Sequence, residues 1–534
     1  MRKSFYILVF LFIPTLFFGQ NDQPKLIVGI VVDQMKPEFL TRYAVNYEEG
    51  GFNRMLREGY QCKNTHFNYI PTYTGPGHAT IFTGATPSMH GIIANSYYDR
   101  ILKKKVYCAY DPEVTQTEGN EEGGKMSASR ILTTTIGDEM KLANPNSKVV
   151  AISEKDRAST FPAGHNADGA YWLVGHDFIT STAYKIKLPK WVKDFNNEKL
   201  VGKYLSKEWD LLLPKVNYQT LLDDSPYEGT FSGEKSPVFP HDIPSIYAND
   251  ENAGLIKATP YGNSITVDMA IAAIEGEKLG VDDDMDLLCI SFSSTDYVGH
   301  DYGTHAIETE DTYYRLDKDL SRLFSYLDKQ IGVGTYTVFL TSDHGAAVPP
   351  GLLKEQNIPA GYFDTEPLKQ DLDSLLDKRF IDGDWIVNMT DNYIWLNEEL
   401  MEENKLNRID VYRWIKNYLV QQEGIHMAYD RISLMENDYS DWLGSKVKNG
   451  FNAKYSPDII YLLSPGYIDY GKVGTTHGSG YTYDTHAPLL WMGFGIEKGH
   501  MESPSSITDI VPTLCTKFKI PLPSGCTGTP LLLE

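Results

Sequence analysis

Beyond position 20 the chain has no apolar run long enough to span a bilayer, which takes about 20 residues. It is also short of positive charge, with 49 Lys and Arg against 71 Asp and Glu and a formal net charge of −22. Such a surface repels nucleic-acid backbones and anionic membranes, and no Lys/Arg run offsets it. Nucleic acid and stable membrane association are therefore not expected, and an anionic substrate needs a local cationic site. Cysteine is scarce: Cys62, Cys108, Cys289, Cys515 and Cys526 in 534 residues. No pair has the C-x-x-C spacing of a zinc knuckle. There is no internal repeat and no low-complexity tract. The acidic run from Asp282 to Asp286 lacks the Gly and terminal Glu of a calcium loop and reads as a solvated turn.

What is present begins with a leader. Arg2 and Lys3 precede an apolar stretch from Phe5 to Phe18, which Pro14 interrupts, and Gly19-Gln20 follow. Residues 1–20 read as a signal peptide, with an uncleaved anchor as the alternative. Periplasmic or secreted placement is expected. Export permits disulfides. Cys515 and Cys526 are expected to pair, because Pro521, Pro523 and Gly525 can turn the chain back between them. Cys289, inside a strand-like run, is expected as a buried thiol.

Four segments are apolar throughout and end in polar residues, as strands covered on both faces do. They are Leu26 to Asp33, Lys148 to Ser153, Asp286 to Ser293 and Tyr336 to Thr341. Helical patterns run from Ser264 to Leu279 and from Thr309 to Gln330. Alternating strands and helices predict an α/β fold with a doubly wound, mostly parallel sheet sandwiched by helices. The expected core covers about 25–160, 262–348 and 475–534. The stretches 161–261 and 349–474 read as cap insertions. Ligands of such sheets lie beyond the carboxyl ends of the strands, where Asp33, Asp296 and Asp343 fall.

Those ends are rich in metal-ligating residue types. Asp296 and His300 are four apart, Asp343 and His344 are adjacent, and His477 lies in Gly474-Thr-Thr-His-Gly-Ser-Gly480. Mixed oxygen and nitrogen donors suit zinc better than magnesium or calcium. Each residue alone has a structural reading, since an Asp at a strand end often caps a helix. Thr74, in Pro71-Thr-Tyr-Thr-Gly-Pro-Gly-His78, reads either as a nucleophile or as a helix N-cap. Thr72 is the reserve candidate.

These segments, in this order, resemble the alkaline phosphatase superfamily, and within it the Thr-nucleophile bacterial phosphatases near the nucleotide pyrophosphatase/phosphodiesterases. The resemblance rests on Ile30 to Asp33, Pro71 to His78, Thr83-Gly84, His90 to Ile92, Asn95, Ser293 to Asp296 with Gly299-His300, Thr341 to Gly345 and Thr476 to Gly478. It implies two zinc ions about 4 Å apart. Asp296, His300 and His477 would hold one. Asp33, Asp343, His344 and the Thr74 oxygen would hold the other. His486 is a rival to His477, which is favoured because it precedes Gly and stands several residues before the last apolar strand. Asn95, Lys155 and Arg157 would hold phosphoryl oxygens, the last two projecting alike from an extended segment.

The resemblance implies a secreted alkaline phosphatase that cleaves phosphate monoesters through phosphothreonine at Thr74. Its expected partners are small phosphate monoesters, and a monomer is expected. A phosphodiesterase or nucleotide pyrophosphatase on the same metals is the first alternative. A catalytically dead binding scaffold is the alternative of another class.

Overall fold

The computed structural model describes residues 23–220 and 222–533; the leader read at 1–20 lies outside them. The apolar runs assemble into a central sheet of ten strands. Nine are labelled here: β1 (Leu26–Val32), β2 (Tyr60–His66), β3 (Val149–Ser153), β4 (Gly169–Val174), β5 (Asp177–Ile179), β6 (Asp286–Phe292), β7 (Tyr336–Thr341), β8 (His486–Gly493) and β9 (Gly499–Met501). Their order is β9-β2-β8-β7-β1-β6-β3-β4-β5, and Ser505–Ser506 pairs beside β2.

The four expected strands are the parallel centre. β1 pairs with β6 and β7, and β3 pairs with β6, all parallel. β8 runs antiparallel to β7 and β2. The unbroken apolar runs have a direct physical cause. Val28, Ile30 and Val32 enter one core with Leu288 and Ile290. Their neighbours Ile27 and Val31 enter the opposite core with Leu287 and Cys289. Successive side chains point to opposite faces, so a sheet covered on both faces needs apolar residues at every position.

Five helices matter for the site: α1 (Thr74–Thr83), α2 (Asp156–Ala163), α3 (Tyr261–Glu277), α4 (Ser294–Tyr302) and α5 (Ile307–Leu327). α3 and α5 lie within a few residues of the predicted helices.

Two expectations need correction. The stretch 161–261 is no separate cap. β4 and β5 lie inside it and extend the central sheet, because Gly169-Ala-Tyr-Trp-Leu-Val174 is another run apolar on both faces. Val192, Val201, Leu205 and Trp209 then cover the same core as β1. The second insertion shares a core with the main fold, in which Tyr393, Trp395 and Tyr429 pack with Ile70, Ile93 and Tyr97. It carries its own four-stranded antiparallel sheet, in the order Ile386–Thr390, Tyr393–Leu396, Ile459–Leu463, Ile425–Asp430. A core of its own, including Leu372, Trp385, Ile415 and Leu419, supports it. The other correction concerns Cys515 and Cys526, whose thiols are both free. Cys515 sits on the inner side of the helix Ile510–Phe518 and donates to the Pro521 carbonyl at 3.4 Å. The prolines do turn the chain, but they bring a carbonyl to Cys515. Cys289 is buried and free, as expected.

Candidate active site

β1, β6 and β7 end side by side, so Asp33, the start of α4 and Asp343 meet at one sheet edge. The Asp33 carbonyl accepts a hydrogen bond from Thr295 Oγ1 at 2.6 Å, which ties α4 to β1. Asp296 and His300, four apart on α4, share one helix face, and His300 Nε2 lies 3.2 Å from Asp296 Oδ1. His477 Nε2 lies 3.7 Å from the same oxygen. The His344 and His477 rings stack with centroids 3.4 Å apart. His344 Nε2 is 3.4 Å from Asp33 Oδ1 and 3.5 Å from Asp343 Oδ2.

Asp33, Asp343 and His344 therefore bring their ligand atoms within 4.8 Å of one another, and so do Asp296, His344 and His477. Each imidazole is oriented by its other nitrogen. Nδ1 of His300, His344 and His477 donates to the carbonyls of Thr475, Gly345 and Thr72 at 2.7, 2.9 and 2.7 Å. A carbonyl only accepts, so Nδ1 carries the proton and Nε2 turns a lone pair into the cluster. Metal-ligating histidines are held in this way. Asp33 Oδ1, Asp343 Oδ2 and His344 Nε2 are buried without a hydrogen-bond partner. Converging, buried, unpartnered lone pairs fit a cation.

Electrostatics point the same way. Burial, then the Asp296 and Asp343 carboxylates, push Asp33 well above the usual carboxylate range. Burial also opposes ionisation of Asp296, yet His300 and Lys155 hold it well below that range. Burial lowers His344 and, more strongly, His477, so both are neutral at pH 7, as ligands must be. Burial would lower His300 too, but Asp296 raises it.

Thr74 is the first residue of α1 and is 1% exposed. The N-cap is Tyr73, in extended conformation, and no side chain caps this helix. The capping role for Thr74 is thereby excluded. Its Oγ1 instead accepts from Arg157 Nη2 at 3.4 Å. Thr72 donates its hydroxyl to the Ser479 carbonyl at 3.0 Å and is committed elsewhere. Asn95 Oδ1 accepts the Gly75 N–H at 2.8 Å, which leaves its amide group free to donate beside Thr74.

Lys155 and Arg157 do not lie on an extended segment. Lys155 is the N-cap of α2 and Arg157 lies in its first turn, so they diverge. Lys155 Nζ donates to Asp33 Oδ2 at 2.7 Å and to Asp296 Oδ2 at 2.5 Å. Arg157 Nη1 donates to the Tyr107 hydroxyl at 3.1 Å, which donates to Asp156 Oδ1 at 2.5 Å. The rival His486 is remote from the cluster: it stacks on His66 at 4.6 Å and its Nε2 faces the Lys63 carbonyl.

Sequence reasoning missed Gln34. It is buried with φ +66°. Its Nε2 donates to Asp296 Oδ1 at 2.7 Å and its N–H to Asp343 Oδ1 at 3.2 Å. Its only signal was its position directly after Asp33. His78 was read only as part of a motif, but its Nε2 pairs with Ser291 Oγ at 2.8 Å and its Nδ1 lies 3.4 Å from Asp343 Oδ2. Gly77 lets α1 approach the ligand loop. A Cβ there would lie 2.5 Å from the Asp343 carbonyl oxygen and 2.7 Å from its Cβ. Gly77→Ala should therefore displace Asp343, lowering stability by about 1–3 kcal/mol and weakening activity. Thermal midpoint and kcat/KM measured on one preparation check both effects.

The family model described as type I phosphodiesterase / nucleotide pyrophosphatase matches residues 27–488. The chain belongs to that family. Alkaline phosphatase PafA of Elizabethkingia meningoseptica is 42% identical over 95% of this chain and 94% of its own. Its crystal structure superposes with a TM-score of 0.93 at 41% identity, covering 96% of this chain and 99% of that one. A further solved form of PafA carries replacements of a Thr, an Asn, a Lys and an Arg. A Myroides odoratus protein named calcium-transporting ATPase is 41% identical over 96% of this chain and 94% of its own. Alkaline phosphatase PhoV of Synechococcus elongatus is 40% identical over 96% and 94%. Among the described residues no helix is long and apolar enough to cross a membrane.

Proposed function

We propose that this protein is an exported, zinc-dependent alkaline phosphatase that hydrolyses phosphate monoesters through phosphothreonine at Thr74. The observation that carries the reading is the Thr74 hydroxyl. It caps no helix, and it touches Arg157 at the edge that gathers three carboxylates and three imidazoles. The identity to two enzymes named alkaline phosphatase, over nearly the whole of each chain, supports the same reaction. The leader at 1–20 supports a periplasmic or secreted enzyme, and we read it as a monomer.

Asp296, His300 and His477 would hold one zinc ion, and Asp33, Asp343, His344 and Thr74 Oγ1 the other. Nitrogen and oxygen donors in this mixture suit zinc. Bound there, the ions supply Lewis acidity that favours the Thr74 alkoxide and offsets phosphoryl charge. The Thr74 oxygen attacks phosphorus and loses its proton, the phosphorus–alcohol bond breaks, and the alcohol takes up a proton as it leaves. Water then cleaves the Thr–phosphate bond. The Asn95 amide and the Arg157 guanidinium donate to the phosphoryl oxygens, where charge develops. Backbone N–H groups at the start of α1 face the same anion. Lys155 balances Asp33 and Asp296 and reaches the phosphoryl group from that side.

The family's description favours a second reading, a phosphodiesterase on the same site. Arg157 discriminates. A monoester dianion has one more charged non-bridging oxygen than a diester, whose second ester group would take that place. Arg157→Ala should cut monoester kcat/KM by about tenfold to a hundredfold, the value of one charge-assisted contact, and diester kcat/KM much less. Equal losses, or a wild type faster on the matched diester, would favour the phosphodiesterase. Arg157 is the cleaner probe, because Lys155 also touches two candidate metal ligands.

A further inference from the structure

A cavity of about 140 Å³, partly open to solvent, lies between the second insertion and the sheet edge. His477 and Tyr73, the residue before Thr74, form its inner wall. Its walls are aromatic and its charges are of one sign. Tyr73, Tyr393, Tyr461, Tyr481 and Tyr483 contribute to the lining, and Asp391, Asp469 and Asp484 are its carboxylates. Among the described residues no Lys or Arg lines it.

Asp484 lies in the floor. It is 1% exposed; its Oδ2 accepts the Ser479 N–H at 2.7 Å, while its Oδ1 has no hydrogen-bond partner. Asp391 and Asp469 are exposed at the rim. Asp391 is at the tip of the hairpin between Ile386–Thr390 and Tyr393–Leu396. Asp391 and Asn392 are both left-handed, at φ +53° and +64°, the geometry of a tight two-residue turn. The turn thus aims a carboxylate at the mouth rather than leaving it on a loose loop. The nearby cations are Lys446, committed to the Gly480 carbonyl and Thr485 Oγ1, Lys105 near Asp391 and Lys36 near Asp484. None of the three lines the cavity.

Aromatic faces with carboxylates and without competing cations attract organic ammonium groups. We infer that this cavity receives the alcohol part of the substrate and selects phosphate monoesters whose alcohol carries an ammonium group. The inference rests on the monoesterase reading and adds the substrate class. The same carboxylates repel alcohols bearing further anionic groups.

The test compares phosphocholine with 3,3-dimethylbutyl phosphate, its uncharged isostere of matching shape. Wild-type kcat/KM should favour phosphocholine by roughly tenfold. In an Asp391→Asn/Asp469→Asn variant the preference should fall to about twofold or less, with the rate on the neutral ester nearly unchanged. Asn tolerates the left-handed conformation at 391, and at 469 it keeps an acceptor for the Thr365 hydroxyl that Asp469 accepts, so the variant should fold. Equal turnover of the two esters by the wild type, or a preference that survives in the variant, overturns the inference and leaves the phosphatase reading intact. Failure to turn over either ester while a diester is cleaved overturns both.

Discussion

Thr74→Ala should lose on the order of 10⁴-fold in kcat on a phosphate monoester, as enzymes do when a covalent nucleophile is removed. The variant should keep its fold and its metal content. Thr74 is buried at the start of α1 and caps nothing, and among the described residues its hydroxyl makes only the long contact with Arg157. Removing its hydroxyl therefore breaks no structural hydrogen bond beyond that one. Thr74→Ser should retain substantial activity, because the hydroxyl remains, with some loss from the freer rotamer. Enzyme quenched in acid during turnover should carry phosphate on Thr74, as peptide mapping would read. Phosphate on another residue, or a Thr74→Ala enzyme within tenfold of wild type, would sink the assignment. Thr72→Ala serves as the control: its hydroxyl bonds the Ser479 carbonyl, so its loss should act on stability more than on chemistry.

Metal removal should have the other large effect. Dialysis against a chelator should abolish activity, and zinc should restore it. The chain without metal should also unfold at lower temperature. Ligand that binds only the folded state adds stability, and here its loss leaves Asp33, Asp296 and Asp343 crowded in a buried site with Lys155 as the main counter-charge. The ligand atoms must be deprotonated to bind, so retention of metal should weaken as pH falls through the carboxylate and imidazole ranges. His477→Ala should lose metal and most of the activity. His486→Ala should lose neither, because His486 lies on β8 against His66. Metal analysis alongside the rate measurement separates the cases. Full activity in verified metal-free protein, or the reverse ranking of the two histidines, would refute this account.

Much of this was legible because its physical signals are local. A strand buried on both faces must be apolar at every position, so β1, β3, β6 and β7 stood out as runs. The polar residues that end them had to sit at a sheet edge, where Asp33, Asp296 and Asp343 are found. The four-residue spacing of Asp296 and His300 marked them as a pair within one turn, and the helix α4 puts both on one face. β4 was equally apolar, but it stood in a stretch rich in Tyr, Trp, Pro and Gly and was read as part of a cap. Gln34 was silent, since a Gln after a strand carries no pattern. Its role depends on Asp296 and Asp343, residues distant in sequence.

The sequence by itself determined the fold class, the strands that carry the site, and which Asp, His and Thr residues were worth considering there. Composition and short-range periodicity encode those features directly. Only the tertiary structure decided among candidates. It separated His477 from His486 by the ring stack on His344. It excluded the capping role of Thr74 by placing the cap at Tyr73. It turned Lys155 toward Asp33 and Asp296 and Arg157 toward Thr74, because α2 begins between them. It also left Cys515 and Cys526 as free thiols and set an aromatic, acidic cavity against His477. Each of these depends on which chain segments meet across hundreds of residues, and packing, not local propensity, settles that.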